Sequence, residues 1–229
     1  MGTYHYALFS GGLESTYALA KALNSHPENR ITPIHIDYGQ YASSYERTAV
    51  NGIIKLLHTS DIIRDRILPP VFMDIGKIFP WTASVAYTGN IYNFCPEIEN
   101  RNMVLFSILY SYLLSRVDLE QANEFVVFTG FKDGEMPDAN TNYFGHLSTL
   151  CKEYKPNQTL SIILVPKDTR DNIRHYLCTI SERFGINADI LLALLSSCYA
   201  PVDNRPCNVC YKCKTDREIS KKGTMGDWG

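Results

Sequence analysis

The sequence lacks an excess of charge of either sign. Its 229 residues carry 22 Lys and Arg against 24 Asp and Glu, which gives a formal net charge of −2. A broad nucleic-acid-binding face relies on clustered Lys and Arg, so this balance argues against such a face. It does not exclude a local basic groove. We therefore expect no nucleic-acid partner.

Long hydrophobic runs are also missing. The most apolar segment extends from Met103 to Leu114, well short of the roughly 20 residues needed to cross a bilayer. The first residues show no basic region followed by an apolar core and a cleavage site, so we expect no signal peptide. These absences predict a soluble, cytoplasmic protein that has no membrane partner.

What the sequence does contain is a regular alternation of two kinds of segment. The predicted strands are 4–10, 30–39, 61–68, 124–131 and 160–166, and the predicted helices are 15–24, 43–57, 102–117, 143–154, 169–184 and 187–196. The stretch 71–100 is rich in Pro, Gly and aromatic residues and is predicted to be a long loop. Apolar strands that alternate with amphipathic helices are typical of an α/β fold with a doubly wound, mainly parallel sheet.

A glycine turn follows the first predicted strand, in the segment "LFSGGLEST". Gly11 and Gly12 permit a sharp turn and a close approach to a ligand, because neither carries a Cβ. The helix that follows offers unpaired N–H groups to an anion, and Ser10, Ser15 and Thr16 add hydroxyl groups. The pattern is neither a Walker sequence nor the dinucleotide fingerprint. It predicts either a phosphate-binding turn or a plain strand-to-helix corner.

The seven cysteines are unevenly placed, and four of them fall close together near the end of the chain: Cys198, Cys207, Cys210 and Cys213. Two Cys-x2-Cys turns bring thiolates onto one metal, and four thiolates complete a tetrahedral zinc site. An iron–sulfur cluster and four unrelated thiols are the alternatives. With no histidine and no open ligand position, we expect a structural Zn²⁺ that clamps a C-terminal segment, residues 191–229, onto an α/β domain of residues 1–190.

The two motifs together resemble a known family. S-G-G-x-[DE]-S-T resembles the pyrophosphate loop of the ATP pyrophosphatases, and with this cysteine spacing the chain resembles the 7-cyano-7-deazaguanine synthases of queuosine and deazapurine biosynthesis. Weaker similarities lie between them, in the order of that family. They are "IDYGQ" (36–40), "NRNMVLF" (100–106), "FKDGEMPD" (131–138), "VPKDTRDNI" (165–173) and "SSCY" (196–199).

The resemblance implies an ATP-dependent ligase. It would bind ATP with Mg²⁺, adenylate the carboxylate of a small-molecule deazaguanine, and use ammonia to make first an amide and then a nitrile. It also implies a homodimer. A related activity in anti-phage operons passes the activated base to an amine of a partner protein, and this protein acceptor is the alternative function.

The resemblance also implies a set of site residues. ATP would be held by Ser10, Gly11, Gly12, Leu13, Glu14, Ser15 and Thr16. Catalysis would use Arg101, Asp133 and Arg170, and the substrate would contact Tyr38, Gln40, Asn102, Asp138 and Lys167. Each has a plainer interpretation: the arginines as solvated helix-start residues, the aspartates as turn or N-cap residues, Tyr38 as packing, and Asn102 as the N-cap of its helix.

The chain departs from the family pattern around the expected substrate. Glu14 stands where Asp is usual, and Tyr41-Ala42 where Arg-His is usual. The loop 135–140 reads Glu-Met-Pro-Asp-Ala-Asn, where the family has Gly-Tyr-Pro-Asp-Cys-Arg. We expect the ATP chemistry to be kept, whereas the identity of the substrate or acceptor is not determined by the sequence. Two further hypotheses are a zinc-dependent nucleic-acid-binding module and a sulfur-inserting tRNA enzyme. Each of these functions requires a basic face, and the sequence shows no sign of one.

Overall fold

The computed structural model describes residues 2–76, 101–134, 137–167, 172–210 and 212–214. Its strands are β1 (Gly2–Leu8), β2 (Ile31–Asp37), β3 (Val71–Asp74), β4 (Asn123–Lys132) and β5 (Gln158–Val165). Its α-helices are α1 (Leu13–Ser25), α2 (Ser43–Leu57), α3 (Arg101–Leu114), α4 (Thr141–Tyr154), α5 (Ile173–Arg183) and α6 (Ala188–Leu194). The strands form one sheet in the order β3-β2-β1-β4-β5, and each pairing between them is parallel.

Helices cover both faces of this sheet. One buried cluster joins α1, α2, α5 and α6 through Leu19, Val50, Leu177 and Leu191. A second cluster lies on the other face, where Phe106 of α3 and Phe144 of α4 belong to it. The crossover from β1 to β2 and that from β4 to β5 therefore lie on opposite faces. The predicted doubly wound parallel sheet is confirmed.

The most apolar predicted segment forms most of α3. Phe106, Leu109 and Leu113 are buried against the sheet, while Met103 is exposed. The helix ends at Leu114, three residues before its predicted end. Among the residues that the structure describes, no helix has the length and apolar character needed to span a membrane.

The predicted strand at 61–68 is wrong, because this segment forms a turn and a 3₁₀ helix at Arg64–Arg66. Ile63 and Ile67 are both buried, but Asp65 between them is exposed. In a strand these three alternate residues would share one face, whereas a helical turn places Asp65 on another side. The Arg66 guanidinium also donates hydrogen bonds to the carbonyl oxygens of Leu23 and His26 at the end of α1. These bonds cap a helix end that offers unpaired carbonyl groups.

The predicted loop at 71–100 is wrong at its start, since β3 occupies Val71–Asp74 and pairs with β2. Residues 77–100 lie outside the described part of the chain. Helix α4 starts at Thr141, two residues before its predicted start, because the side chain of Asn140 accepts a hydrogen bond from the amide of Tyr143 and caps the helix.

Candidate functional site

The sheet has a switch point between β1 and β4, where the chain order changes direction. The connections that leave these two strands run to opposite faces, so a crevice opens at their carboxyl ends, where ligands bind in doubly wound sheets. The glycine turn, residues 10–12, lies at this point because it joins β1 to α1. The position is the one that the sequence predicts for a phosphate-binding turn.

The backbone of the glycine turn has no room for side chains. Gly11 has a φ of 74°, and a Cβ there would lie 2.8 Å from the Cβ of Ala49 on α2. A Cβ on Gly12 would lie 3.0 Å from the carbonyl oxygen of Ser196. The amide of Ser196 donates a hydrogen bond of 2.8 Å to the carbonyl oxygen of Gly11. The turn is thus enclosed by α2 on one side and by the chain after α6 on the other.

Strand β4 bends where it passes the start of α1. Its pairing with β5 changes register between Phe128 and Lys132, and Gly130 lies within this irregular segment. A Cβ on Gly130 would come within 2.7 Å of the backbone nitrogen of Ser15. The missing side chain therefore allows the first turn of α1 to approach the strand closely.

The hydroxyl groups of the turn form a small network. The Ser10 and Ser15 Oγ atoms lie 3.2 Å apart, and the Ser15 hydroxyl donates to the carbonyl oxygen of Gly12 over 3.1 Å. The amide of Gly12 donates to Ser10 Oγ over 3.4 Å. These contacts hold the turn in an open loop in front of the α1 N-terminus, where the helix dipole favours an anion.

Two residues of the predicted ATP-binding segment point into the protein instead. Leu13 is 2% exposed and belongs to the core cluster of α1. Thr16 is 3% exposed and lines a small cavity with Leu19 and Leu23. Its hydroxyl has no hydrogen-bond partner among the described residues. Neither side chain is placed like those of Ser10 and Ser15.

Glu14 forms a buried ion-pair cluster. Its Oε1 atom lies 2.7 Å from Nζ of Lys212 and 3.3 Å from Nζ of Lys132. Burial alone would raise the pKa of Glu14, but the ammonium groups of Lys212 and Lys132 outweigh it and lower the pKa to about 2. The carboxylate is therefore charged at neutral pH. It links α1 to the end of β4 and to the cysteine-rich segment.

A second group of polar side chains follows β2. The side-chain amide of Gln40 donates a 2.7 Å hydrogen bond to Oε2 of Glu46. Nearby, the Arg101 guanidinium lies 5.8 Å from the ring centre of Tyr38. Burial, and to a smaller extent the charge of Asp37, raise the pKa of Glu46 to about 7, against the hydrogen bond from Gln40 and the charge of Arg101. This half-buried carboxyl group can exchange a proton near neutral pH.

The start of α3 contacts the loop after β4. Asn102 is 1% exposed, and its amide donates a 3.0 Å hydrogen bond to the carbonyl oxygen of Asp138. Both carboxylate oxygens of Asp133 accept hydrogen bonds from Thr141, one from its amide and one from its hydroxyl. Asn102 is the second residue of α3, so its interpretation as an N-cap is wrong. The structure brings Tyr38, Arg101 and Asn102 to one edge of the sheet.

The remaining predicted cation positions follow β5. Lys167 is exposed and comes two residues after the end of the strand, at the same edge of the sheet. Arg170 lies outside the described residues. Of the two expected basic side chains, the structure therefore describes that of Lys167 alone.

The four clustered cysteines converge on one point. Their Sγ atoms all lie within 4.8 Å of one another; Cys198, Cys210 and Cys213 are buried, and Cys207 is partly buried. Tetrahedral zinc with Zn–S bonds of about 2.3 Å would separate the sulfurs by roughly 3.8 Å. The donor set and its size fit a structural Zn²⁺ site with four thiolate ligands.

A tight turn precedes the second ligand of this cluster. Val202 and Arg205 exchange two backbone hydrogen bonds of 2.9 Å each, and the residues between them, Asp203 and Asn204, have φ values of 50° and 57°. Asp and Asn tolerate this left-handed conformation better than most residues. The turn reverses the chain between Cys198 and Cys207, so that both can reach one metal.

Several residues of the site were not among the predicted site residues: Gly130, Lys132, Glu46, Ser196 and Lys212. Lys132 and Ser196 lie within segments that resemble the family, but neither was assigned a role. Lys132 ends a buried strand at the ligand-binding edge, and that position was the available signal. Lys212 contacts a residue 198 positions earlier, a distance that no local pattern records. Such contacts become visible only in the folded chain.

Known proteins resemble this chain over different lengths. The sequence model of the family "Queuosine biosynthesis protein QueC" matches residues 5–222. The 7-cyano-7-deazaguanine synthase 1 of Desulfitobacterium hafniense (strain Y51) is 34% identical over 106 residues, which cover 46% of this chain and 47% of that relative. The match thus spans about half the length of the relative.

A solved structure shares the fold. The crystal structure of a 4-thiouridine synthetase–RNA complex with bound ATP aligns with 96% of this chain and 50% of that chain, with a TM-score of 0.51 and 12% identity. At this identity the likeness concerns the fold alone, and it agrees with the parallel α/β sheet described above. Because the family match extends over nearly all of the sequence, the chain belongs to the QueC family of queuosine biosynthesis proteins.

Proposed function

We propose that this chain is an ATP-dependent carbon–nitrogen ligase that converts a 7-carboxy-7-deazaguanine into the 7-cyano compound. The observation that carries the proposal is the enclosed glycine turn at the switch point between β1 and β4, in a chain of the QueC family. The relative from Desulfitobacterium hafniense, whose name states this synthase activity, supports the choice of reaction.

The glycine turn suits the phosphates of ATP. Backbone amides at the start of α1 and the hydroxyls of Ser10 and Ser15 would donate to phosphate oxygens, and Gly11 and Gly12 leave the space that a close approach needs. Mg²⁺ would accompany the phosphates and neutralise their charge. Asp138 is the carboxylate that we assign to it, because both oxygens of Asp133 accept hydrogen bonds from Thr141.

Activation of the carboxylate explains why ATP is needed. A carboxylate is a poor electrophile, so one of its oxygens attacks the α-phosphate of ATP and pyrophosphate leaves. Ammonia then adds to the acyl-adenylate carbon and AMP leaves; loss of a proton gives the amide. In a second round the amide oxygen attacks the α-phosphate of another ATP and pyrophosphate leaves. Departure of AMP and of the two amide protons then leaves the nitrile. Each nitrile would consume two ATP and one ammonia.

The protein's part in these steps is to place charge and reactants. Arg101 offers a forked donor to a carboxylate or phosphate oxygen, and Lys167 and Arg170 would add basic groups on the β5 side of the crevice. Tyr38 would stack on the base. Asn102 would hold the loop at Asp138 through its 3.0 Å hydrogen bond.

Polar groups after β2 would complete the base pocket. Gln40 and Glu46 are joined by a hydrogen bond, and a carboxyl group with a pKa of about 7 can accept a proton from attacking ammonia or bind an N–H edge. The zinc site has a structural part in this proposal. Its four thiolate ligands leave no open position, so no step of the reaction passes through the metal.

One assay tests the proposed function. The purified chain is incubated with labelled ATP, Mg²⁺, 7-carboxy-7-deazaguanine and ammonium, and AMP, amide and nitrile are measured by mass spectrometry. Formation of nitrile with two AMP per product supports the proposal. Absence of substrate-dependent AMP contradicts it. Arg101→Ala should reduce turnover at least tenfold, while Arg116→Ala, an exposed arginine just past the other end of α3, should leave it unchanged.

The same assay tests the alternative acceptor. Release of AMP without nitrile, together with a mass increase on a co-encoded protein, would indicate transfer to a protein amine; no observation on this chain favours that acceptor over ammonia. The homodimer is tested by light scattering on the purified chain. The boundary between residues 190 and 191 stays a prediction, which limited proteolysis tests.

A further inference from the structure

Lys212 connects the cysteine cluster to the first helix. It lies between Cys210 and Cys213, two of the four residues whose sulfur atoms converge. Its Nζ is 2.7 Å from Oε1 of Glu14, in the first turn of α1. The position of the ammonium group therefore depends on the fold of the segment that the four thiols organise.

The Glu14–Lys212 contact is buried enough to contribute to the stability of the folded chain. The side chain of Lys212 is 19% exposed and that of Glu14 is 12% exposed, unlike the surface pair Arg64–Asp61, whose side chains are 54% and 88% exposed. Exposed ion pairs contribute little, whereas removal of one partner from a buried pair leaves a desolvated charge and is costly. The Glu14–Lys212 pair belongs to the second kind.

A second contact, from the other end of the cysteine cluster, reaches the adjacent glycine turn. Ser196, two residues before Cys198, donates its amide to the carbonyl oxygen of Gly11, and its own carbonyl oxygen leaves no room for a Cβ on Gly12. The segment that carries the four cysteines therefore contacts the glycine turn just before its first cysteine, and it contacts Glu14, in the first turn of α1, beside its last. On the opposite side, Lys132 fixes Glu14 to the end of β4.

We propose that Lys212 is a positioning residue: through Glu14 it fixes residues 10–16 in the conformation that binds ATP, so that this conformation depends on the metal held by the cysteine cluster. The inference rests on the proposed ATP-dependent function for its ligand. It gives the zinc site a task beyond holding the C-terminal segment, since loss of the metal would release the Lys212 side of the Glu14 cluster.

The test compares three variants of the full chain with the wild type. Lys212→Gln removes the ammonium group without touching a metal ligand, Lys212→Arg restores a cation, and Lys214→Gln removes an exposed charge from the same turn as a control. Each is measured for zinc per chain, for Mg-ATP affinity by calorimetry, and for hydrogen exchange of the amides in residues 10–16.

We expect Lys212→Gln to keep its zinc, to bind ATP about tenfold more weakly, and to exchange the amides of residues 10–16 faster. Lys212→Arg should recover most of the affinity, and Lys214→Gln should match the wild type. Chelation should weaken ATP binding in the wild type more than in Lys212→Gln, because the variant has already lost the connection.

Two results overturn the inference. One is a zinc-loaded Lys212→Gln chain in which amide exchange of residues 10–16 is unchanged; the other is a loss of ATP affinity that is as large in Lys214→Gln. A wild-type chain that binds no ATP would contradict the proposed function instead. In that case amide exchange alone decides whether Lys212 positions the turn.

Discussion

The amide nitrogen of Ser196 lies 2.8 Å from the carbonyl oxygen of Gly11 and donates a hydrogen bond to it. Gly11 lies in the turn between β1 and α1, and Ser196 follows α6. The glycine turn is therefore enclosed by residues from distant parts of the sequence. Its shape depends on close packing as well as on the local flexibility of two glycines.

The tight fit of Gly11 predicts a large effect of Gly11→Ala. An alanine there must adopt a φ of 74° and place its Cβ 2.8 Å from that of Ala49. The left-handed conformation costs about 1–2 kcal/mol, and overpacking adds about 1–3 kcal/mol. We expect the free energy of unfolding, measured by urea denaturation, to fall by about 3 kcal/mol and ATP binding to be lost.

Gly134→Ala is the matched control. Gly134 has nearly the same φ, 75°, but a Cβ there meets no atom within 4 Å. This variant should show the conformational cost alone, about 1–2 kcal/mol. Equal destabilisation in both variants would mean that the contact with α2 does not constrain the turn.

The convergence of four thiols predicts that Cys210→Ser loses the metal. Cys210 is fully buried within the cluster, and a structural zinc stabilises its fold directly. Metal analysis should find about one zinc per wild-type chain and almost none in Cys210→Ser, whose melting temperature should fall by more than 5 °C. Cys151→Ser changes a partly buried cysteine outside the cluster and should keep the zinc. Iron in the wild type would contradict the assignment.

The raised pKa of Glu46 predicts a pH-dependent stability. The pKa is about 7 in the folded chain against 4.5 for an unperturbed group, so the folded chain binds the proton more tightly. The contribution of Glu46 is complete below pH 4.5 and is lost as the pH rises through 7. After allowance for its partial exposure this loss is roughly 2 kcal/mol.

Urea denaturation between pH 4 and pH 8 measures this loss. Glu46→Gln has no titrating group at this position and should flatten the profile over this range. Glu153→Gln makes the same change at an exposed position of α4 and should leave the profile unchanged. A wild-type profile that is already flat would show that Glu46 is ionised at neutral pH.

Removal of the Ser15 hydroxyl and removal of the Thr16 hydroxyl should affect ATP binding differently, although the two residues are adjacent. Thr16→Val removes a buried hydroxyl that has no partner among the described residues, so stability should stay constant or rise by about 1 kcal/mol with ATP affinity unchanged. Ser15→Ala removes a group of the turn network and should weaken ATP binding severalfold in calorimetry. A matching loss in Thr16→Val would mean that its hydroxyl reaches the phosphates.

Local patterns in the sequence predicted the sheet, the position of the glycine turn and the grouping of the four cysteines. Apolar alternation located four of the five strands, and α2 has its predicted bounds, Ser43–Leu57. The 61–68 segment misled because its apolar residues suit a strand, whereas its folded form depends on Arg66 reaching the end of α1. That contact joins distant residues and leaves no local signal.

The chemistry of the candidate site was predicted less completely. Residue types indicated Ser10, Gly11, Gly12 and the four cysteines as candidates, because glycine turns and cysteine spacing have local physical meaning. The ion-pair cluster of Glu14 was not predicted, since Lys132 and Lys212 come from opposite sides of the molecule. The departure at Glu14 was recognised, and the structure gives it a partner within the cysteine cluster.

The hydrogen bond from Lys212 to Glu14 joins positions 198 residues apart, which has a consequence for synthesis. At about 5–20 residues per second, a ribosome would make Glu14 roughly ten to forty seconds before its partner. Strands β1 and β2 can pair during that interval, because they are close in the chain. We therefore expect the strands to be able to pair before the glycine turn is completed, because its contacts with Ser196 and Lys212 need the end of the cysteine cluster to have been made.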